Sequence, residues 1–228
     1  MQKNLLGKTL GIIHAAVFTA AGLEPVAREI MPDVSIMHAG DDTVQRDNLA
    51  APVGTIPKVN FYKFATFAKF FQDAGVDLIM LACSTFNSAV DYAKPMIDVP
   101  MLQIDRPMME KAVATGKRIG MIGTLPSTMP ASERLLRLCA AEAGREIEVV
   151  PALNGEAFKA LRAGDPATHN ALLLEDIARL SKETDCIVLA QASMAVLEKE
   201  VAGNPVPVFT SPRLAFTRAK QMLEAMSQ

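Results

Sequence analysis

The chain has 228 residues and a mass of 24.5 kDa; half of it is hydrophobic but only 5% aromatic, with no Trp and 13 Met. That length suits one large α/β domain or two small ones, and an apolar content carried by Ala, Leu, Val, Ile and Met suits helices packed on a buried parallel sheet. A formal net charge of −2, from interspersed acids and bases with no Lys/Arg run to track a phosphate backbone, argues against nucleic acid as a partner.

In chain order, short β-rich apolar runs predict strands at 9–13, 34–37, 77–82 and 100–103, then at 118–122, 147–150, 186–190 and 206–209. Amphipathic stretches at 59–74, 131–143 and 167–183 supply helices between them, and a last helix runs over 212–226. Strands alternating with helices are the pattern of βαβ units on a parallel sheet. The polar stretch 40–58, with Pro52, Gly54 and Pro57, reads as a lid or as a plain surface loop. Behind Lys3 and Lys8, the run from Lys8 to Leu23 loosely imitates a secretory signal, but a similar stretch recurs deep inside the chain.

That recurrence is one of three. Gly7–His14 is echoed by Gly116–Gly123 at an offset of 109, Asp77–Cys83 by Asp185–Gln191 at 108, and Val99–Leu102 by Val206–Phe209 at 107. Duplication of a half-chain unit explains three strand-like runs in one order at nearly constant spacing. The expected fold is therefore α/β, with two similar halves related by a pseudo-two-fold axis and a site in the cleft between them. The halves are expected at 1–104 plus 211–228, with the last helix crossing back, and at 105–210. No Pro-rich or Gly/Ser linker separates them, which favours a tight cleft over a tether.

Cysteines at 83, 139 and 186 are odd in number and form no CxxC pair, so neither a disulfide framework nor a zinc site is indicated, and a reducing cytoplasm fits. Cys139, in a helical pattern, and Cys186, at a strand start, read as structural. Cys83 sits at the carboxyl end of a predicted strand, where open parallel sheets bind ligands. Behind it Ser84, Thr85, Phe86 and Asn87 suit a helix cap and donors to a carboxylate, and a helix start there would favour thiolate. The alternative is a small buried hydrophobe. Gly11 and Gly120 stand alone, and Gly120-Met121-Ile122-Gly123 does not continue as a dinucleotide loop. Met108, Met109 and Met129 read as core filling.

Leu81-Ala82-Cys83-Ser84-Thr85 resembles the first motif of the aspartate/glutamate/hydantoin racemase superfamily, in which Cys is commonly followed by Asn-Thr. Leu189-Ala190-Gln191-Ala192-Ser193-Met194 resembles the second, particularly the hydantoin racemase form Gly-Cys-Ala-Gly-Met, with Gln where Cys belongs. The resemblance covers nearly the whole chain and implies two Rossmann-like halves, a small carboxylate substrate, no cofactor and a homodimer. It also implies racemisation without pyridoxal phosphate or metal, one thiolate taking the α-proton while an opposite thiol returns one. Gln191 cannot play that second part, because an amide neither ionises nor transfers protons near neutral pH.

Three readings stand: another second acid, a one-base reaction such as the decarboxylation of arylmalonate decarboxylase, or a carboxylate-binding paralogue without catalysis. His14, ending the first strand where glutamate racemases carry an Asp that assists the first Cys, is the candidate second group, able to activate Cys83 or protonate an intermediate. It reads equally as a structural residue. His38, after the second predicted strand, and His169, on an expected surface helix, have weaker claims. Carboxylate binding is expected from Ser84, Thr85 and Asn87, from the N–H groups of Ala192 and Ser193, and from Thr124, Ser127 and Thr128, which resemble the family's Ser/Thr-rich substrate loop. Turn and capping chemistry around Pro126 and Pro130 accounts for the last three equally well.

Overall fold

The computed structural model describes residues 5–226. The chain divides into two compact units, one made of the chain up to Ile104 together with the segment from Pro212, the other of Asp105–Ser211.

The first unit contains β1 (Thr9–His14), α1 (Thr19–Ile30), β2 (Ser35–Gly40), α2 (Asp42–Ala50), α3 (Lys58–Asp73), β3 (Leu78–Leu81), the short α4 (Ala89–Ala93) and β4 (Met101–Gln103). The second contains α5 (Arg106–Thr115), β5 (Arg118–Gly123), α6 (Thr128–Glu142), β6 (Glu148–Leu153), α7 (Gly155–Arg162), α8 (Pro166–Leu180), β7 (Cys186–Leu189) and β8 (Val208–Phe209). The final helix, α9 (Ser211–Ala225), returns to the first unit, where Arg213 holds Glu29 of α1 through two hydrogen bonds of 2.9 and 2.8 Å.

Each unit has a four-stranded, all-parallel sheet, ordered β2-β1-β3-β4 in one and β6-β5-β7-β8 in the other. β3 and β7 read Leu-Ile-Met-Leu and Cys-Ile-Val-Leu and are buried throughout, as strands covered on both faces must be. Each fully buried aliphatic side chain there contributes about 2 kcal/mol. Pro151, with no N–H to give a ladder, lies in the edge strand β6.

The sequence repeat has a physical counterpart in each unit. Asp77 Oδ2 accepts from Thr9 N–H at 2.8 Å, and Asp185 Oδ2 accepts from Lys117 and Arg118 N–H at 2.7 and 2.8 Å. One aspartate before the third strand thus pins the start of the first strand, twice. α3 and α6 both end in a left-handed glycine, Gly75 (φ +77°) and Gly144 (φ +63°). Val76 N–H then reaches Phe71 O and Arg145 N–H reaches Ala140 O, closing the same reversal without the Cβ penalty of another residue.

Four sequence expectations need correction. Within the stretch 40–58, Asp42–Ala50 is a helix, capped by Asp41 accepting from Thr43 N–H. β2 runs on to Gly40, so His38 lies inside that strand, opposite Ile12, and not after it. His169 is buried in α8, with Nδ1 3.3 Å from Ala157 O, and is no surface residue. No helix begins at Ser84: the chain passes through turns from Ser84 to Ser88 before the five-residue α4.

Candidate active site

In the first unit the carboxyl ends of neighbouring strands bring His14 and Cys83 to one edge. β1 and β3 pair in parallel up to Ile13↔Leu81, and Ala82 N–H continues the ladder to Ile13 O at 2.9 Å. His14 is therefore level with Ala82, and Cys83 follows directly. Cys83 is partly exposed and packs against the apolar cluster of Phe64, Phe86 and Val90. Of the donors expected beside it, Asn87 is 1% exposed and spends its carbonyl on Gln103 Nε2 at 2.8 Å. Ser84 is also buried, while Thr85 is part-exposed. Because α4 begins only at Ala89, Ser84 and Thr85 occupy turns rather than a helix cap, and the expected thiolate stabilisation by a helix start has no structural basis.

The other two thiols are different. Burial pushes Cys139 up to about 11, and burial followed by the charge of Asp185 pushes Cys186 to about 11. Neither is a nucleophile at neutral pH.

His14 is buried and engaged at both ring nitrogens. Nδ1 lies 2.8 Å from Thr19 Oγ1, Nε2 lies 2.8 Å from His38 Nδ1, and His38 Nε2 lies 2.8 Å from Glu24 Oε2. Burial opposes ionisation of Glu24, but hydrogen bonds from His38 and then Arg28 outweigh it and hold the carboxyl below its usual range. Glu24 is thus an acceptor at neutral pH, which fixes a proton on His38 Nε2.

Two proton orders complete the chain. Thr19 Oγ1 is also 2.7 Å from Ala16 O. If the Thr19 proton goes there, His14 must donate from Nδ1 and accept at Nε2, and His38 carries both protons. If it goes to His14, the order reverses and His38 is neutral. In both, His14 is neutral with no nitrogen to spare, consistent with a pKa lowered from 6.5 to about 4 by burial and then by His38. Any exchange with Cys83 requires one of these bonds to open. Thr19 and Glu24 carry no functional signal in the sequence, and His38 has only a weak one. Their residue types carry no signal without the knowledge that Thr19 and Glu24 of α1 meet His14 of β1 and His38 of β2.

In the second unit the strand ends of β5 and β7 bring Thr124 and Gln191 into direct contact, Gln191 Oε1 accepting from Thr124 N–H at 2.6 Å and from Thr124 Oγ1 at 2.8 Å. Thr128 begins α6 and is buried, and Ser127 Oγ is buried with no hydrogen-bond partner among the described residues. Ala192 and Ser193 open a six-residue 3-10 turn, Ala192–Leu197, too short to present a helix dipole. Among the described residues no three His, Cys, Asp or Glu side chains are grouped as a metal ion needs, and no helix is long and apolar enough to cross a membrane.

Against known proteins, the family described as Asp/Glu/Hydantoin racemase matches residues 64–219, a span that includes Cys83 and Gln191 and leaves out His14, His38 and Glu24. A glutamate racemase of Trichodesmium erythraeum (strain IMS101) is 28% identical over 144 residues, 62% of this chain and 50% of that protein. The chain spans about half the length of the curated relatives it matches. An aspartate racemase homologue from Pyrococcus horikoshii OT3 shares the fold with a TM-score of 0.72 at 20% identity, over 97% of this chain and 100% of that one. A glutamate racemase from Francisella tularensis subsp. tularensis SCHU S4, crystallised with D-glutamate, gives 0.69 at 17% identity, over 96% and 82%. With the family match spanning more than half of its length, the chain belongs to the Asp/Glu/Hydantoin racemase family.

Proposed function

We propose that the protein is a cofactor-independent enzyme that moves a proton at the carbon α to the carboxylate of an amino acid or a related small acid, with Cys83 as the acid/base group. The observation that carries this reading is the contrast among three thiols. Two are buried with pKa values near 11, and the third is part-exposed at the carboxyl end of a central parallel strand inside the family match.

In the reaction the Cα–H bond breaks, its proton passes to the Cys83 sulfur and its electron pair is held as an enediolate on the carboxylate. The thiol then returns a proton to carbon. A second reading follows from Gln191, whose amide cannot supply a proton to the opposite face. One thiol suffices for decarboxylation of a malonate, in which the C–C bond breaks, carbon dioxide leaves and Cys83 protonates the enolate. The carboxylate-binding paralogue remains the reading without chemistry.

The test is proton NMR of the protein in deuterium oxide with amino acids, hydantoins and substituted malonates, comparing wild type with Cys83→Ala. Cys83-dependent loss of the α-proton signal, or release of carbon dioxide, supports the reading. Retained chirality indicates one face and racemic product two. Binding of panel members with no exchange or release in any of them would leave the paralogue.

A further inference from the structure

Gln191 occupies the position at which the second motif of the family resemblance has its thiol, and its amide is not free to turn. The atom facing Thr124 receives a backbone N–H at 2.6 Å and the Thr124 hydroxyl at 2.8 Å. A backbone N–H can only donate, so that atom must be the amide oxygen; the flipped amide would set N–H against N–H. The clasp is anchored by neighbouring strands, because β5 and β7 pair up to Ile122↔Leu189 and Ala190 N–H extends the ladder to Ile122 O at 2.8 Å. Thr124 is itself only 2% exposed, so its hydroxyl has little freedom to leave.

With the oxygen committed twice, the amide nitrogen is what the side chain presents. Gln191 is part-exposed, and Nε2 makes no hydrogen bond among the described residues. It is a neutral donor of fixed direction at the carboxyl end of a parallel strand, where such sheets receive ligands. The loop that carries Thr124, between β5 and α6, also holds Ser127, whose buried Oγ has no hydrogen-bond partner among the described residues. A donor held rigidly before a ligand arrives needs no reorganisation when negative charge develops in front of it.

We propose that Gln191 is an anion donor, its Nε2–H binding the carboxylate of a small acid, with Thr124 as the positioning residue that aims it. This rests on the reading of the substrate as a small carboxylate. Replacement of the family thiol then exchanges a proton carrier for a charge stabiliser, and the donor works unchanged across the pH range because an amide does not titrate.

The experiment uses the full chain with glutamine side-chain nitrogens labelled with ¹⁵N, the Gln191 Nε2 signals being assigned by their loss in Gln191→Glu. L-Aspartate, D-glutamate and methylmalonate are titrated in separately. A saturable downfield shift of one Gln191 amide proton is expected with at least one acid. Thr124→Val, which keeps the backbone N–H and loses the hydroxyl, should weaken that acid's binding severalfold, and Thr124→Ser should restore it. No movement with any of the three up to their solubility overturns the proposal, and an undiminished response in Thr124→Val overturns the role given to Thr124. The α-deuteration test is separate. A Gln191 amide that moves with carboxylate in a chain that exchanges no α-proton removes Cys83 chemistry and keeps the anion donor; exchange without movement does the reverse.

Discussion

Replacing His14 by Gln should flatten the acid side of the protein's stability profile. Burial and then the neighbouring His38 lower the His14 pKa from 6.5 to about 4. Above pH 6.5 the imidazole is neutral in both folded and unfolded chains and the shift contributes nothing. As pH falls below 6.5 the unfolded chain takes up a proton that the native chain refuses, so stability is lost progressively until about pH 4, where the native group titrates too and the loss levels off. At about 1.4 kcal/mol per pKa unit the full loss from this one residue is about 3 kcal/mol. His14→Gln keeps a neutral side chain that can hydrogen-bond and removes the titration. The chain has no Trp, so urea unfolding is followed by circular dichroism, at several pH values from above 6.5 down to about 4. Wild type should lose about 3 kcal/mol more than the variant over that window. His169, lowered by its own burial, acts in the same direction in both proteins and cancels. Parallel curves for the two would refute the buried neutral His14 and, with it, the proton order built on it.

The remaining predictions concern packing, the thiols and the repeated aspartate. A Cβ on Gly11 would lie 2.5 Å from the Phe71 ring, whereas one on Gly120, its counterpart in the second unit, would meet Ile187 at 3.1 Å. Gly11→Ala should therefore cost about 1–3 kcal/mol in urea unfolding and Gly120→Ala clearly less; equal losses would contradict the geometry. With a chromogenic disulfide reagent at neutral pH, Cys83 should react in the native protein, while Cys139 and Cys186 wait for denaturant. Simultaneous reaction of all three would remove the contrast on which the choice of Cys83 rests. Asp185 is held below its usual pKa by N–H donors from Arg118 and then Lys117. Asp185→Asn should lower the urea midpoint at neutral pH, and the deficit should vanish as pH falls through the depressed native pKa, since wild type then loses the same charge.

Much of this architecture was legible because its signals are local and repeated. Runs such as Leu78–Leu81 and Cys186–Leu189 are continuous apolar stretches, which buried parallel strands require, and each recurs with an aspartate before it that ties two strands together. What failed depended on neighbours distant in sequence. Ser84 and Thr85 look like a helix start, yet Phe86 and Asn87 are drawn into the interior, where Asn87 meets Gln103 of the next strand, and the chain turns instead of coiling. The stretch 40–58 looked polar enough for a loop because the buried partner of Asn48 in α2 is Asn60 of α3, at 2.9 Å, a contact with no trace in periodicity. Glu24 on α1 and His38 on β2 are 14 residues apart in sequence and meet, at 2.8 Å, only in the folded chain.

The two units share a strand order and differ in chemistry at equivalent strand ends, and the difference is one-sided. At the end of the first strand His14 corresponds to Gly123, which has no side chain and where a Cβ would meet Met129 Sδ at 2.5 Å. After the third strand Cys83 corresponds to Gln191, whose oxygen is clasped by Thr124. Both positions in the first unit carry a side chain that can hold or release a proton, and neither in the second does. Of these four positions, only the two in the first unit carry groups able to exchange a proton near neutral pH. On the proposed reading, exchange at the α-carbon should therefore proceed with retention far faster than with inversion, because the Gln191 amide has no proton to give and His14 is already spent on Thr19 and His38.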